Sequence, residues 1–159
     1  MTVKQRSLHQ GLTSAVLALS WLAMGSTTSL ADNRPAQGKI GFWCDTSDDK
    51  LPITAYQNAA GGVENWIEWR STNASDLGFD PLTRCQQVSQ QFETQRRAGR
   101  LKYLTHAKRN GLNVICPAKA EGECNGILFT LNPGQDPVKV LSQLLALREG
   151  TKGTPPIRM

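Results

Sequence analysis

Four cysteines, Cys44, Cys85, Cys116 and Cys124, have the clearest chemistry open to them in this 159-residue chain. Metal ligation, thiolate attack and cross-linking compete for them. A zinc site needs clustered ligands such as C-x2-C, and here the nearest pair, Cys116 and Cys124, stands eight residues apart. A nucleophile needs a base and a group that orients the base. His106 is the one candidate base in the body of the chain, and no nucleophile or carboxylate can be placed beside it from sequence. A solitary histidine of that kind reads as surface rather than as a general base. Asp45, Asp48 and Asp49 crowd one short segment, but without the glycine and closing glutamate of a calcium loop they read as a turn. Cross-linking remains: an even cysteine count in an oxidising compartment implies two disulfides. No metal, cofactor or catalytic residue is expected.

The compartment is legible at the start of the chain. MTVKQRSLHQ carries Lys4 and Arg6 and no acid, an apolar stretch follows from Gly11 to Met24, and a small-residue segment ends in Ser29-Leu30-Ala31. These are the three parts of a secretory signal, and the apolar run falls short of the about 20 residues that span a bilayer. Residues 1–31 are therefore read as a signal peptide cleaved after Ala31, with no cysteine at that point to carry a lipid. Residues 32–38 read as a flexible head and 39–150 as a single disulfide-linked domain. Residues 151–159 (TKGTPPIRM) read as a disordered tail from their proline and glycine content. The formal net charge of +5 falls when Lys4 and Arg6 are removed, which leaves a mildly basic domain whose charge distribution matters more than its total.

The elements that must hold the cysteines follow from pattern. Lys39–Cys44 reads as a strand, and Ile53–Ala59 with Val63–Arg70 as a hairpin around Gly61-Gly62. Asp80-Pro81 is a strong helix start, since aspartate caps the free N–H groups and proline fits the first turn. Leu82, Cys85, Val88 and Phe92 then repeat at helical spacing up to Arg97, with Gly99 as the stop. Leu101–Ala107 and Leu112–Cys116 flank Asn110-Gly111, the dipeptide that suits a type I′ turn. Ile127–Leu131 reads as a central strand buried on both faces. Asp136-Pro137 opens a second helix, Val138–Glu149, with Leu141, Leu144 and Leu145 inward. The order β-β-β-α-β-β-β-α predicts an α+β domain: one small, largely antiparallel sheet, two packed helices and two disulfides.

Four cysteines allow three pairings. Cys116 ends one strand and Cys124 precedes the next across a short polar loop, so a Cys116–Cys124 bridge is the first choice, which leaves Cys44 with Cys85. Among the aromatic residues, Trp43 and Trp69 read as core. Trp66 alternates with Glu64 and Glu68 and reads as an exposed interface candidate. Asn73-Ala74-Ser75 fits a glycosylation sequon, a triplet common by chance.

The second chemistry in the chain is charge. The turn at Asn110-Gly111 sets Arg109 opposite Leu112, Ala107 opposite Val114 and Thr105 opposite Cys116. One face then carries Leu101, Tyr103, Val114 and Cys116 toward the core. The other carries Arg100, Lys102, His106 and Lys108, with Leu104 and Ile115 among them. Arg84, Arg96, Arg97 and Arg109 lie nearby in sequence, and no acid falls between Arg96 and Arg109. Such a face fits an anionic membrane surface or an acidic protein partner. Structural roles are open to the same residues: cations suit a helix C-terminus, Glu93 to Arg97 is an i,i+4 pair, and lysines on a strand discourage aggregation. No aromatic-interleaved basic motif for nucleic acid is present.

Several short elements, in this order, are similar to one known family: Phe42-x-Cys44, Ile67-x-Trp69, Pro81-x-x-Arg84-Cys85-x-x-Val88-Ser89, Leu101-x-Tyr103-Leu104-Thr105, Asn110-Gly111, Val114-Ile115-Cys116 and Leu128-Phe129-Thr130-Leu131. From Phe42 to Gly150 the chain resembles the cyanobacterial circadian oscillating protein family. The resemblance implies an exported, cysteine-containing protein of the periplasm or thylakoid lumen, peripherally associated with a membrane, whose abundance follows a rhythm. It implies no activity, cofactor or catalytic residue. The expectation is a non-enzymatic accessory or binding domain that docks through its basic face. The alternative is a small secreted hydrolase using His106 with a nearby acid.

Overall fold

The computed structural model describes residues 34–47, 51–70, 80–119 and 122–159. The signal segment, Asp48, Asp49 and the Asn73 triplet lie outside the described residues.

The elements in chain order are β1 (Gly41–Asp45), β2 (Ile53–Gln57), β3 (Val63–Glu68), α1 (Pro81–Arg97), β4 (Tyr103–Arg109), β5 (Leu112–Ala118), β6 (Phe129–Thr130), α2 (Pro137–Arg148) and β7 (Ile157–Arg158). The class is α+β, with mostly antiparallel strands, two helices and two disulfides. The strands form two sheets rather than the one expected, ordered β1-β2-β3-β7 and β4-β5-β6.

Local chemistry sets the helices. The Asp80 carboxylate accepts the Thr83 hydroxyl at 2.6 Å and the Thr83 N–H at 3.0 Å. These bonds hold Asp80 below the usual carboxylate range. Asp136 accepts the Val138 and Lys139 N–H groups in the same way. Both helices end in a Schellman motif. At α1 the Arg100 N–H reaches the Gln95 carbonyl and the Gly99 N–H the Arg96 carbonyl, with Gly99 at φ +67°. At α2 the same pair of bonds runs from Thr151 to Ala146 and from Gly150 to Leu147.

A single cluster collects residues from both sheets and both helices. Phe42 stacks on Phe92 at 5.0 Å, and Trp66 stands edge-on to both rings. Trp69 is buried and donates its indole N–H to Thr54 Oγ1, which also accepts from Ser89 Oγ. That buried relay ties β2, the residue after β3, and α1 together with every polar atom in it bonded. The inward stripe of α2 is Val140, Leu144 and Leu147 with Leu141 beside it, one position displaced from the expected set, and Leu145 is half-buried.

Three corrections arise from contacts that local pattern does not report. Ile127–Leu131 is not a central strand: only Phe129 and Thr130 pair, β6 lies at a sheet edge, and Ile127 is 45 % exposed. The tail is not disordered. Ile157 and Met159 are buried, β7 pairs in parallel with β3, and Gln143 and Gln135 donate to the carbonyls of Pro155 and Arg158. Ile157 opposite Ile67 and Met159 in the same core cluster outweigh the Pro-Gly content before them. The head is also held from Arg34 onward, because the buried Gln57 amide donates to the Ala36 and Lys39 carbonyls.

Both disulfides join the pairs read from the sequence, Cys44–Cys85 and Cys116–Cys124, with separations of 41 and 8 residues. In the chain-entropy view they contribute roughly 4 and roughly 2.5 kcal/mol as upper figures. The first fastens the N-terminal part of α1 to β1. Two turns further along, Glu93 fastens the other end: Oε2 accepts the Phe42 N–H at 3.0 Å while the carboxylate bonds Arg96 at 2.7 Å and Arg97 at 2.6 Å. Partial burial alone would raise the Glu93 carboxyl, but the Arg96 and Arg97 hydrogen bonds and the Phe42 N–H hold it down to about 2. Its folded value therefore lies below the ordinary 4.5. The stabilisation is complete above that ordinary value and is lost as pH falls through it toward about 2. Glu93→Gln is expected to lower stability at neutral pH by about 2 kcal/mol and to flatten the acid limb of a melting-temperature profile. An unchanged acid limb would assign that limb to other carboxyls.

Candidate functional site

The candidate site is the β4–β5 hairpin and the segment that leads into it. Asn110 at φ +49° and Gly111 at φ +80° form the type I′ turn. The register is the one the turn implies: Arg109 opposite Leu112, Ala107 opposite Val114 and Thr105 opposite Cys116. β5 lies between β4 and β6 and is buried on both faces from Val114 to Ala118, whereas β4 is an edge strand.

The face expected to look into the core is covered at Leu101, Val114 and Cys116, and the other face is covered as well. Leu104 and Ile115 belong with the main cluster, while Tyr103 on the opposite face is 43 % exposed. The cause is α2, which packs against β4 and β5 and brings Leu141 into the cluster that Leu104 joins. His106 and Lys108 share the Leu104 face but lie toward the hairpin tip and are exposed.

The structure strings five of the chosen basic residues along β4 and its approach. Arg100 is exposed, with Nε on Gln95 Oε1 at 2.8 Å. Lys102 is exposed, with Nζ 5.3 Å from the Tyr103 ring centroid. His106, Lys108 and Arg109 follow, all exposed, the Arg109 guanidinium turned toward the Lys108 carbonyl. Arg97 is also exposed at the end of α1, although it is paired with Glu93.

Three chosen residues do not belong with them. Arg84 is 8 % exposed; it donates to Asn132 Oδ1 and the Thr130 carbonyl and lies over the Trp69 ring at 4.8 Å. Burial lowers its guanidinium below the usual value. It serves as a bolt between α1 and β6, because its position on the inner side of the helix takes it away from solvent. Arg96 is bound to Glu93, whose hydrogen bond raises the arginine's pKa. Trp66 is 3 % exposed rather than an interface residue. A β-bulge explains the change. Thr54 pairs with Ile67 and Ala55 with Asn65, so Trp66 is the extra residue on β3 and the in-out alternation slips there.

Arg148 belongs to the site and was not apparent from the sequence. Its Nη1 donates to the carbonyls of Leu101 and Lys102 at the entry to β4. The only local signal is a basic residue in the last turn of α2, and its target is set by how that helix packs. No carboxylate hydrogen-bonds His106 among the described residues, and none of their His, Cys, Asp and Glu groups could hold a metal ion. An open groove of about 390 Å³ between Val63, Glu64, Asn65, Leu147 and Lys152 contains none of the residues chosen from sequence. No described helix is long and apolar enough to cross a membrane.

These features define a small disulfide-linked α+β domain that presents a cationic hairpin. The family described as Circadian oscillating protein COP23 matches residues 41–159, and the chain belongs to it. Comparison with curated proteins and with solved structures finds no match. The family match takes in both disulfides, the hairpin and β7.

Because Trp66 is core, Trp66→Ala is expected to lower stability by about 3–5 kcal/mol in urea unfolding. An unchanged midpoint would return Trp66 to the surface.

Proposed function

We propose that the chain is an exported, non-enzymatic accessory domain that docks peripherally on an anionic surface through β4 and its approach. One contrast carries the reading. Arg70, Arg96, Arg97 and Arg148 each pair with a glutamate. Among the described residues, Arg34, Lys39, Lys119, Lys139, Lys152 and Arg158 have no carboxylate partner either, but they come singly in the sequence. Lys102, Lys108 and Arg109, equally without one, follow one another along β4 and its approach. Cations left without acid partners on one exposed strand act together on a negative surface, each contributing about 1 kcal/mol near an anionic leaflet. The basic-headed apolar segment at the start of the chain and the two disulfides support a periplasmic or lumenal location. Membership of the family supports an abundance under circadian control.

The test is sedimentation of the oxidised protein with membranes of the native host in low and high salt. Replacing Arg100, Lys102 and Lys108 together by glutamate is expected to weaken association by roughly 100-fold or more without moving the melting temperature. High salt is expected to release the wild type. Association that ignores both salt and the triple variant would show that this strand does not dock the protein.

A further inference from the structure

The two sheets have four outer edges, and the described residues treat them unequally. At β1 the Phe42 N–H is taken by Glu93. At β7, only two residues long, the Arg158 carbonyl is taken by Gln135. At β6, also two residues long, the Thr130 carbonyl is taken by Arg84. At the entry to β4 the Lys102 carbonyl is taken by Arg148. Beyond it the one bond to the strand's outer edge among the described residues is the long one from the neighbouring Arg109 guanidinium to the Lys108 carbonyl, at 3.4 Å. β4 is seven residues long, contains no proline and pairs with β5 without a register shift. Shortness, bulges and prolines are three usual ways of closing an edge, and none is used here; charge is a fourth, and Lys108 and Arg109 supply it.

The register says which groups point outward. A two-residue turn makes its flanking pair, Arg109 and Leu112, a hydrogen-bonded pair. Arg109, Ala107, Thr105 and Tyr103 therefore spend their N–H and C=O groups on β5. Lys108, His106 and Leu104 direct theirs away from it. The Lys102 carbonyl has the same parity, and Arg148 does meet it from outside. The open stretch, Leu104 to Lys108, spans about 14 Å at the usual antiparallel rise.

We infer that β4 accepts an extended acidic segment of a partner protein as a fourth strand of its sheet, pairing with the outward backbone groups of Leu104, His106 and Lys108. The inference rests on the anionic-docking reading and names its partner. Charge selects the occupant. A second copy would bring two acid-free strands within a Debye length of each other, Lys102, Lys108 and Arg109 facing their counterparts. Lysines that repel a like strand attract one carrying aspartate or glutamate, and opposite charges directly across a pair favour it. Apolar residues of the incoming strand would meet Leu104 on one face and the exposed Tyr103 ring on the other. A lipid surface satisfies the charges but pairs with none of the outward N–H and C=O groups.

The test uses the oxidised full-length protein and a library of ten-residue peptides alternating Asp or Glu with Val, Ile or Thr. Binding is read by calorimetry and by hydrogen exchange of the β4 amides. The expected result is a binder that slows exchange at Leu104, His106 and Lys108. N-methylation of alternate peptide amides should weaken it roughly tenfold or more at unchanged charge. His106→Pro removes an outward N–H that β5 does not use and should have the same effect without removing a lysine or arginine. Three outcomes overturn the inference: no library peptide binds, binding is indifferent to N-methylation, or protection appears elsewhere. If the wild type then still binds phosphatidylglycerol vesicles, docking is by charge alone and the anionic reading stands. If salt and the charge-reversed triple variant affect neither peptide nor vesicles, that reading has failed as well.

Discussion

The attachment of α1 to β1 at two points is the constraint on which the rest of this fold depends. Cys44–Cys85 makes one connection covalently, and the Glu93 carboxylate makes the other through the Phe42 N–H. Between them the helix can neither slide nor rotate, so Val88 and Phe92 must face the sheet and Phe92 must meet Phe42 and Trp66. A domain this small buries a modest share of its surface, and cross-links that act mainly on the unfolded chain compensate for that. The attachment also sets the start of the hairpin. The Schellman turn at Gly99 leaves the helix at a fixed angle, and Arg100 and Lys102 follow within one short segment.

Side chains close the sheet edges in a way that divides the cations into two groups. Arg84 and Arg148 donate to carbonyls at edges, Arg84 from a buried position where its aliphatic stem and ring contact also fill space. Arg96 neutralises the glutamate that closes the β1 edge. These arginines are structural, and charge reversal at any of them would expose an unpaired backbone group or bury an unpaired acid. Arg100, Lys102 and Lys108 bear no such duty among the described residues, so their replacement reports on surface chemistry, whereas Arg109 reaches the carbonyl of its neighbour Lys108.

What the sequence revealed depended on whether the determining contact was local. The helix starts at Asp80-Pro81 and Asp136-Pro137, the Gly99 stop and the register at Asn110-Gly111 are each fixed within a few residues, and they were legible. The disulfide pairing followed because hairpin ends must meet. Trp66 was misplaced because a bulge opposite Thr54 and Ala55 shifts its phase, and nothing in Val63–Glu68 marks the shift. Arg84 and Arg148 were misread or missed because their partners lie far along the chain, near Asn132 and at Lys102. The cover over Leu104 and Ile115 has the same origin: alternation identifies two faces, but only the packing of α2 covers the second one.

The contrast between paired and unpaired cations bears on why β4 keeps its charge. Lysine on an edge strand is a common defence against self-association, and on that ground alone the stripe would need no partner. Defence, however, requires only a charge or two at the edge. Here the acid-free run begins before the strand, after Glu93, and continues past the turn at Asn110-Gly111 as far as Ala120. The other three edges, protected by side-chain bonds instead, carry no comparable run. A domain that closes its edges with hydrogen bonds where it can, and leaves its longest edge to charge alone, has kept that edge soluble yet open to a strand of opposite sign.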